Sequence, residues 1–245
     1  MVRSGFDIDL ALLAVARLRL MLPSGLGYTV EHGFWEVVEE NSDLLLQLVH
    51  FLAYNQEQRV IDEPKYASIY VRPLLALEDL LSAGSSVWTI APDSTGLARR
   101  VDETTTGQFQ QAASANDAAS AELHEAWKNA YSFNPDPSDC WDHCIKALEA
   151  LLKPLIVPTN TSATLGNVVG EIRSHPSSHG LALQDNGLNN LTDPHDTLVG
   201  MLRLVWANPD RHQGTHHRTP TNDEARGVLA VTITLVQWIR EGLVH

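Results

Sequence analysis

Residues 195–240 read HDTLVGMLRLVW, then ANPDRHQGTHHRTP, then TNDEARGVLAVTITLVQWIR. The first block places Leu198, Val199, Met201, Leu202, Leu204, Val205 and Trp206 almost all round a helix, which predicts a buried central helix over 195–207. Asn208-Pro209 ends it, because the residue before proline is pushed out of helical backbone. In the third block Thr221 and Glu224 have the spacing of a capping box, with Pro220 just ahead. The body from Val228 to Trp238 is rich in β-branched residues, yet the cap, the length and the polar Arg226, Gln237 and Arg240 favour helix over strand. Two apolar helices therefore bracket a short polar loop.

Working outward, residues 6–22, 34–54 and 66–81 each repeat their apolar residues at helical spacing, and Pro73 implies a kink or a late start in the third. In 34–54 the expected apolar face is Val37, Val38, Leu44, Leu45, Leu48, Val49 and Leu52. Residues 87–90 and 97–101 are short β-prone runs around the turn-forming Pro92-Asp93-Ser94-Thr95-Gly96, which predicts a small hairpin. Residues 102–120 are polar and low in large apolar side chains; they read as a linker or a weak polar helix. Helical spacing returns at 121–131, 139–155 and 164–172, followed by a polar loop over 175–193. The expected organisation is mainly α: a helical module with a hairpin over 1–101, the segment 102–120, and a helical bundle over 121–245.

The chain has 245 residues and a net charge of −13, so it is no general coat for nucleic acid. The charge is uneven. Residues 1–195 carry 25 acidic and 12 basic side chains, while 196–245 carry five of each and four of the eleven histidines. Only that last stretch meets a polyanion with little net repulsion. Cys140 and Cys144, the two cysteines, are four apart on one helical face, where a bridge is strained; two free thiols suit a reducing compartment. Asp7, Asp9, Arg17 and Arg19 interrupt the apolar start, and no run has the length of a membrane span. The expectation is a cytoplasmic protein that does not enter a membrane.

The candidate chemistry lies in the loop, Asp210-Arg211-His212-Gln213-Gly214-Thr215-His216-His217-Arg218. Histidine changes charge near neutral pH and serves as general acid or base. Arginine presents a planar fork that matches phosphate oxygens. The first amides of the following helix add the positive end of a helix dipole. Three readings compete. The loop is a solvated connection, or His212, His216 and His217 form a metal site, or Arg211 and a histidine act on a phosphodiester. The metal reading lacks a completing carboxylate, and Gly214 with the flanking prolines opposes the helix that an i, i+4 histidine pair needs.

A helix pair bracketing an Arg, then a polar residue, then a His after four to six residues resembles the HEPN superfamily. Arg211 and His216 match with four residues between them, His217 with five, and His212 holds the polar position after the Arg. The run from Leu123 to His245, about half the chain, looks like the C-terminal domain of bacterial abortive-infection proteins, including Ala147-Leu148-Glu149-Ala150-Leu151-Leu152 and the Thr164-Leu165-Gly166 helix start. The resemblance implies a four- to five-helix bundle acting as a homodimer. It implies a metal-independent ribonuclease of a toxin or antiphage system, with single-stranded RNA as substrate and an antitoxin or regulatory protein as a further partner. Arg211 would polarise the scissile phosphate, His216 or His217 would be the acid or base, and His212 would orient the Arg or the phosphate. No cofactor and no metal are implied. The alternative is a non-catalytic HEPN-like nucleotide-binding or protein-interaction module.

Other constellations read as structural. Cys140, His143 and Cys144 share a helical patch but lack the second pair that a zinc site needs. His175, His179 and His195 are scattered and expected to be solvated. Trp88, Trp127, Trp141, Trp206 and Trp238 lie on apolar faces and are expected in the core.

Overall fold

A computed structural model describes Ala14, Phe34, Val37, Val38 and residues 41–92, 96–182, 193–210 and 218–244. The fold is mainly helical: eight α-helices and one two-stranded hairpin among the described residues. They fall into two compact units, Met1–Arg100 and Val101–His245. The expected helix over 6–22 lies outside the described residues except for Ala14.

In the first unit, α1 spans Ser42–Asp62. The expected helix over 34–54 is instead broken at Asn41. Its side-chain Oδ1 accepts from the N–H groups of Asp43 (3.0 Å) and Leu44 (3.2 Å), so a new helix starts there. A 3-10 turn, Pro64–Tyr66, leads into α2, Ala67–Ala83, with Pro73 inside it. The hairpin pairs β1, Trp88–Ile90, with β2, Leu97–Arg99, in antiparallel register Trp88↔Arg99, Thr89↔Ala98 and Ile90↔Leu97. Two side chains fasten it to the helices. Glu78 accepts from Thr89 Oγ1 (2.8 Å), the Ile90 N–H (2.8 Å) and Arg100 (2.9 Å). His50 Nδ1 accepts from the Leu97 N–H at 2.9 Å. Gly96, at φ +121°, passes so close to the His50 ring that a Cβ there would stand 2.5 Å from it.

The second unit holds α3 (Glu103–Ala112), α4 (Ala118–Tyr131), α5 (Pro137–Ile156), α6 (Leu165–Ser174), α7 (Pro194–Trp206) and α8 (Asn222–Arg240). Of the two readings of 102–120, the helix holds for Glu103–Ala112; residues 113–117 join it to α4, which starts at Ala118. Asp102 caps α3 by accepting from the Thr105 N–H (2.9 Å), and Asp117 caps α4 through the Ser120 N–H (2.8 Å). Phe109 anchors α3 by stacking on Trp127 of α4, ring centroids 4.2 Å apart. Helices α4 and α8 run antiparallel. Arg226 Nε donates to the Ala130 carbonyl near one end, and Arg240 pairs with Asp117 and Ser120 at the other.

The central helix is α5, not α7 as the apolar count predicts. Cys140, Trp141, Cys144, Ile145, Ala147, Leu148, Leu152 and Ile156 are all buried, and α5 packs on α4, α6, α7 and α8. Fully burying a leucine contributes about 1.5–3 kcal/mol, so this helix carries much of the core. Helix α7 buries Leu198, Val199, Leu202 and Val205 only, and Leu204 is 51% exposed. Its other face carries Asp196, Gly200 and Arg203, which turn it to solvent.

Candidate functional site

The residues assigned to chemistry, Arg211, His212, His216 and His217, lie outside the described residues, as do Gln213, Gly214 and Thr215. What the structure describes is how the chain enters and leaves them.

On the entering side, α7 is locked to the core by Trp141, whose indole Nε1 donates to the Val205 carbonyl at 2.7 Å. Asn208 follows and is only 2% exposed. Its N–H donates to the Trp206 carbonyl (2.8 Å), and its Oδ1 accepts from the Asp210 N–H (2.9 Å), closing a turn over Pro209. On the leaving side, Arg218 grips Glu224 through two hydrogen bonds of 2.8 and 2.6 Å. Glu224 also accepts from the Thr221 N–H (2.8 Å), and Thr221 Oγ1 accepts from the Glu224 N–H (3.2 Å), completing the expected capping box. The Arg218 guanidinium and the Thr221 amide together hold the Glu224 carboxyl down at about 2. The Arg218 N–H reaches back to the Pro209 carbonyl at 3.5 Å. The two borders therefore meet at a neck, with residues 211–217 between them. Arg218 itself is engaged by Glu224.

Beside the neck lies a cleft of about 330 Å³ lined by Asp136, Ser138, Asp139, Asp142, Asn208 and Asp210. It joins the N-terminus of α5 to the Asn208 turn. Asp136 caps α5 by accepting from the Asp139 N–H (3.0 Å), Asp139 accepts from Asn129 (2.7 Å), and Asp142 pairs with Lys146 (2.9 Å). Spacing along the chain carries no sign of this cleft, since its two sides lie some seventy residues apart in the sequence.

The remaining constellations resolve as structural. Cys140 and Cys144 are free and fully buried, and burial pushes the Cys144 thiol well up. His143 is turned away from them, toward Glu122 (2.5 Å) and Asp139 (3.3 Å). Among the described residues no group of three His, Cys, Asp or Glu is placed to hold a metal ion. His175 is exposed and pairs with Glu171 (3.0 Å), but His195, expected in solvent, is tucked in, its Nε2 2.9 Å from the Ile172 carbonyl. Trp141 is buried as expected, while Trp88, Trp127, Trp206 and Trp238 are half-buried. No helix among the described residues is long and apolar enough to cross a membrane.

Comparison of the chain with protein-family models, with curated proteins and with solved structures gives no match.

Proposed function

We propose that the chain is a metal-independent RNA endonuclease of a bacterial toxin or abortive-infection system, with its chemistry in residues 211–217. The observation that supports this reading is the neck: a buried Asn208 turn on one side and the Arg218–Glu224–Thr221 clamp on the other fix the two borders of the seven-residue sequence that contains Arg211 and three histidines. Fixed borders on rigid helices are what a loop needs to position working side chains. In this reading Arg211 binds the scissile phosphate and His212 orients it. His216, or His217, removes the proton from the ribose 2′-hydroxyl, whose oxygen attacks phosphorus. The 5′-oxygen of the next nucleotide leaves with a proton, giving a 2′,3′-cyclic phosphate and a 5′-hydroxyl. The protein acts in the cytoplasm as a homodimer on single-stranded RNA, under control of an antitoxin or regulatory protein.

One observation favours the non-catalytic alternative, an interaction module. The carboxylates of Asp136, Asp139, Asp142 and Asp210 beside the neck repel a polyanion and suit a cationic group of a protein partner. A cleavage assay decides between the two. Purified wild type should cut single-stranded RNA in excess chelator and leave cyclic ends. Arg211→Ala and His216→Ala should abolish cleavage with little change in thermal midpoint. A wild type that leaves RNA intact, or cuts only with added metal, overturns the proposal; an inactive His217→Ala beside an active His216→Ala moves the histidine by one place.

A further inference from the structure

Four of the eight described Lys and Arg residues of the second unit are neutralised locally: Lys146 by Asp142, Arg218 by Glu224, Arg226 by Asp223 and Arg240 by Asp117. Arg173 on α6 and Arg203 on α7 are exposed, and among the described residues neither has a carboxylate partner. In a chain of net charge −13, two unneutralised guanidinium groups on adjacent helices stand out as places where an anion is welcome.

Their placement follows from how α6 and α7 pack. The His195 ring reaches the Ile172 carbonyl at 2.9 Å, and a Cβ on Gly166 would stand 2.9 Å from the Trp206 ring. The start of each helix thus lies against the end of the other, so the pair is antiparallel. Gly170 and Gly200 are both exposed, with open space where a Cβ would stand. At 1.5 Å rise per residue, these two contacts place Arg173 and Arg203 roughly 6–14 Å apart along the helix axes. The nearest carboxylates on these two helices are Glu171, tied to His175 at 3.0 Å, and Asp196, 74% exposed and 3.7 Å from His195 Nδ1. Helix α7 runs from this seam directly into the Asn208 turn.

The geometry points to the α6–α7 seam as the track for the phosphate backbone of single-stranded RNA, with Arg173 and Arg203 each holding a different phosphate of one strand. This inference rests on the ribonuclease reading and adds the path by which substrate reaches residues 211–217. The contacts are to phosphate, so they position the strand without reading its bases.

The test uses the full chain carrying His216→Ala and His217→Ala, so that RNA is bound and not cut, and a fluorescein-labelled oligouridine as probe. Arg173→Ala and Arg203→Ala should each weaken binding several-fold and lower the slope of log K against log salt by about 0.7, and by about 1.4 together. Arg173→Lys and Arg203→Lys should keep the slope, and Lys128→Ala, an exposed lysine on α4, should change nothing. Unchanged slopes in the alanine variants, with RNA still bound by the parent, overturn the seam and leave the ribonuclease reading standing. A parent that binds no RNA overturns both. Loss of binding in the lysine variants too, with a lowered thermal midpoint, marks the arginines as structural and also overturns the seam.

Discussion

Replacing Asn208 with alanine tests whether the border of the 211–217 segment is held as described. The amide is 2% exposed, and its Oδ1 is the acceptor for the Asp210 N–H at 2.9 Å. Asn208→Ala leaves that N–H without its partner in a partly buried turn, a cost of about 1–3 kcal/mol. For a unit of this size each kcal/mol moves the thermal midpoint by about 4 °C, so the expected fall is about 4–12 °C. Asn208→Asp keeps an acceptor oxygen but buries a new charge against Asp136, Asp139, Asp142 and Asp210. Desolvation and like-charge repulsion both raise the folded-state pKa of the new carboxyl above its unfolded value near 4. The folded state then binds more protons than the unfolded chain, so this variant loses stability as pH rises through that range. Relative to wild type at the same pH, it should be close to neutral near about pH 4 and worse than Asn208→Ala at about pH 7. Urea denaturation followed by circular dichroism, with the m-value checked for constancy, measures both variants. If Asn208→Ala costs less than about 0.5 kcal/mol, the size of an ordinary surface change, the amide does not hold the turn. A pH-independent Asn208→Asp removes the cleft as an electrostatic unit.

Two further outcomes follow from other contacts. Glu224 has its pKa lowered from 4.5 to about 2, so the stability it contributes is fully present above 4.5 and is lost as pH falls toward 2. Glu224→Gln should flatten the dependence of the thermal midpoint on pH across that window, and an unaltered acid limb would rule out the clamp. In the first unit, burial holds His50 below its usual 6.5, and its Nδ1 must stay unprotonated to accept from Leu97. That contribution is complete above 6.5 and fades as pH falls below it. His50→Asn, whose side-chain oxygen keeps an acceptor near the same place, should abolish this pH dependence in thermal melts. A variant as pH-sensitive as wild type would assign the effect to another group.

Features set by interactions within a few residues were readable from the sequence. The Thr221–Glu224 capping box, the Asn208-Pro209 stop and the pairing of β1 with β2 each depend on neighbours close in the chain, so spacing alone predicts them. Helical periodicity likewise sufficed for a mainly α fold, because a stripe of apolar residues has to be buried wherever it packs. The same periodicity misplaced the helix start at Asn41, where one side chain capping two amides outweighs the continuing apolar pattern.

What depended on partners distant in sequence needed the tertiary structure. A count of apolar residues ranked α7 above α5, but centrality belongs to the helix with most neighbours, and Asp142, His143 and Lys146 on α5 conceal that by serving local ion pairs at its rim. Residues 102–120 left linker and weak polar helix both open because α3 brings one large apolar side chain, Phe109, and its partner Trp127 is eighteen positions away. The acidic cleft exists only because the start of α5 is folded against the Asn208 turn. The antiparallel packing of α6 on α7 alone brings Arg173 and Arg203 to one seam. By itself the sequence determined the mainly helical character, the capping box of the last helix and the histidine-rich stretch ahead of it. Which surfaces those helices bury, and which charges they leave without a partner, was decided by contacts across tens of residues, since burial and Coulomb energy depend on distance in space and not on distance along the chain.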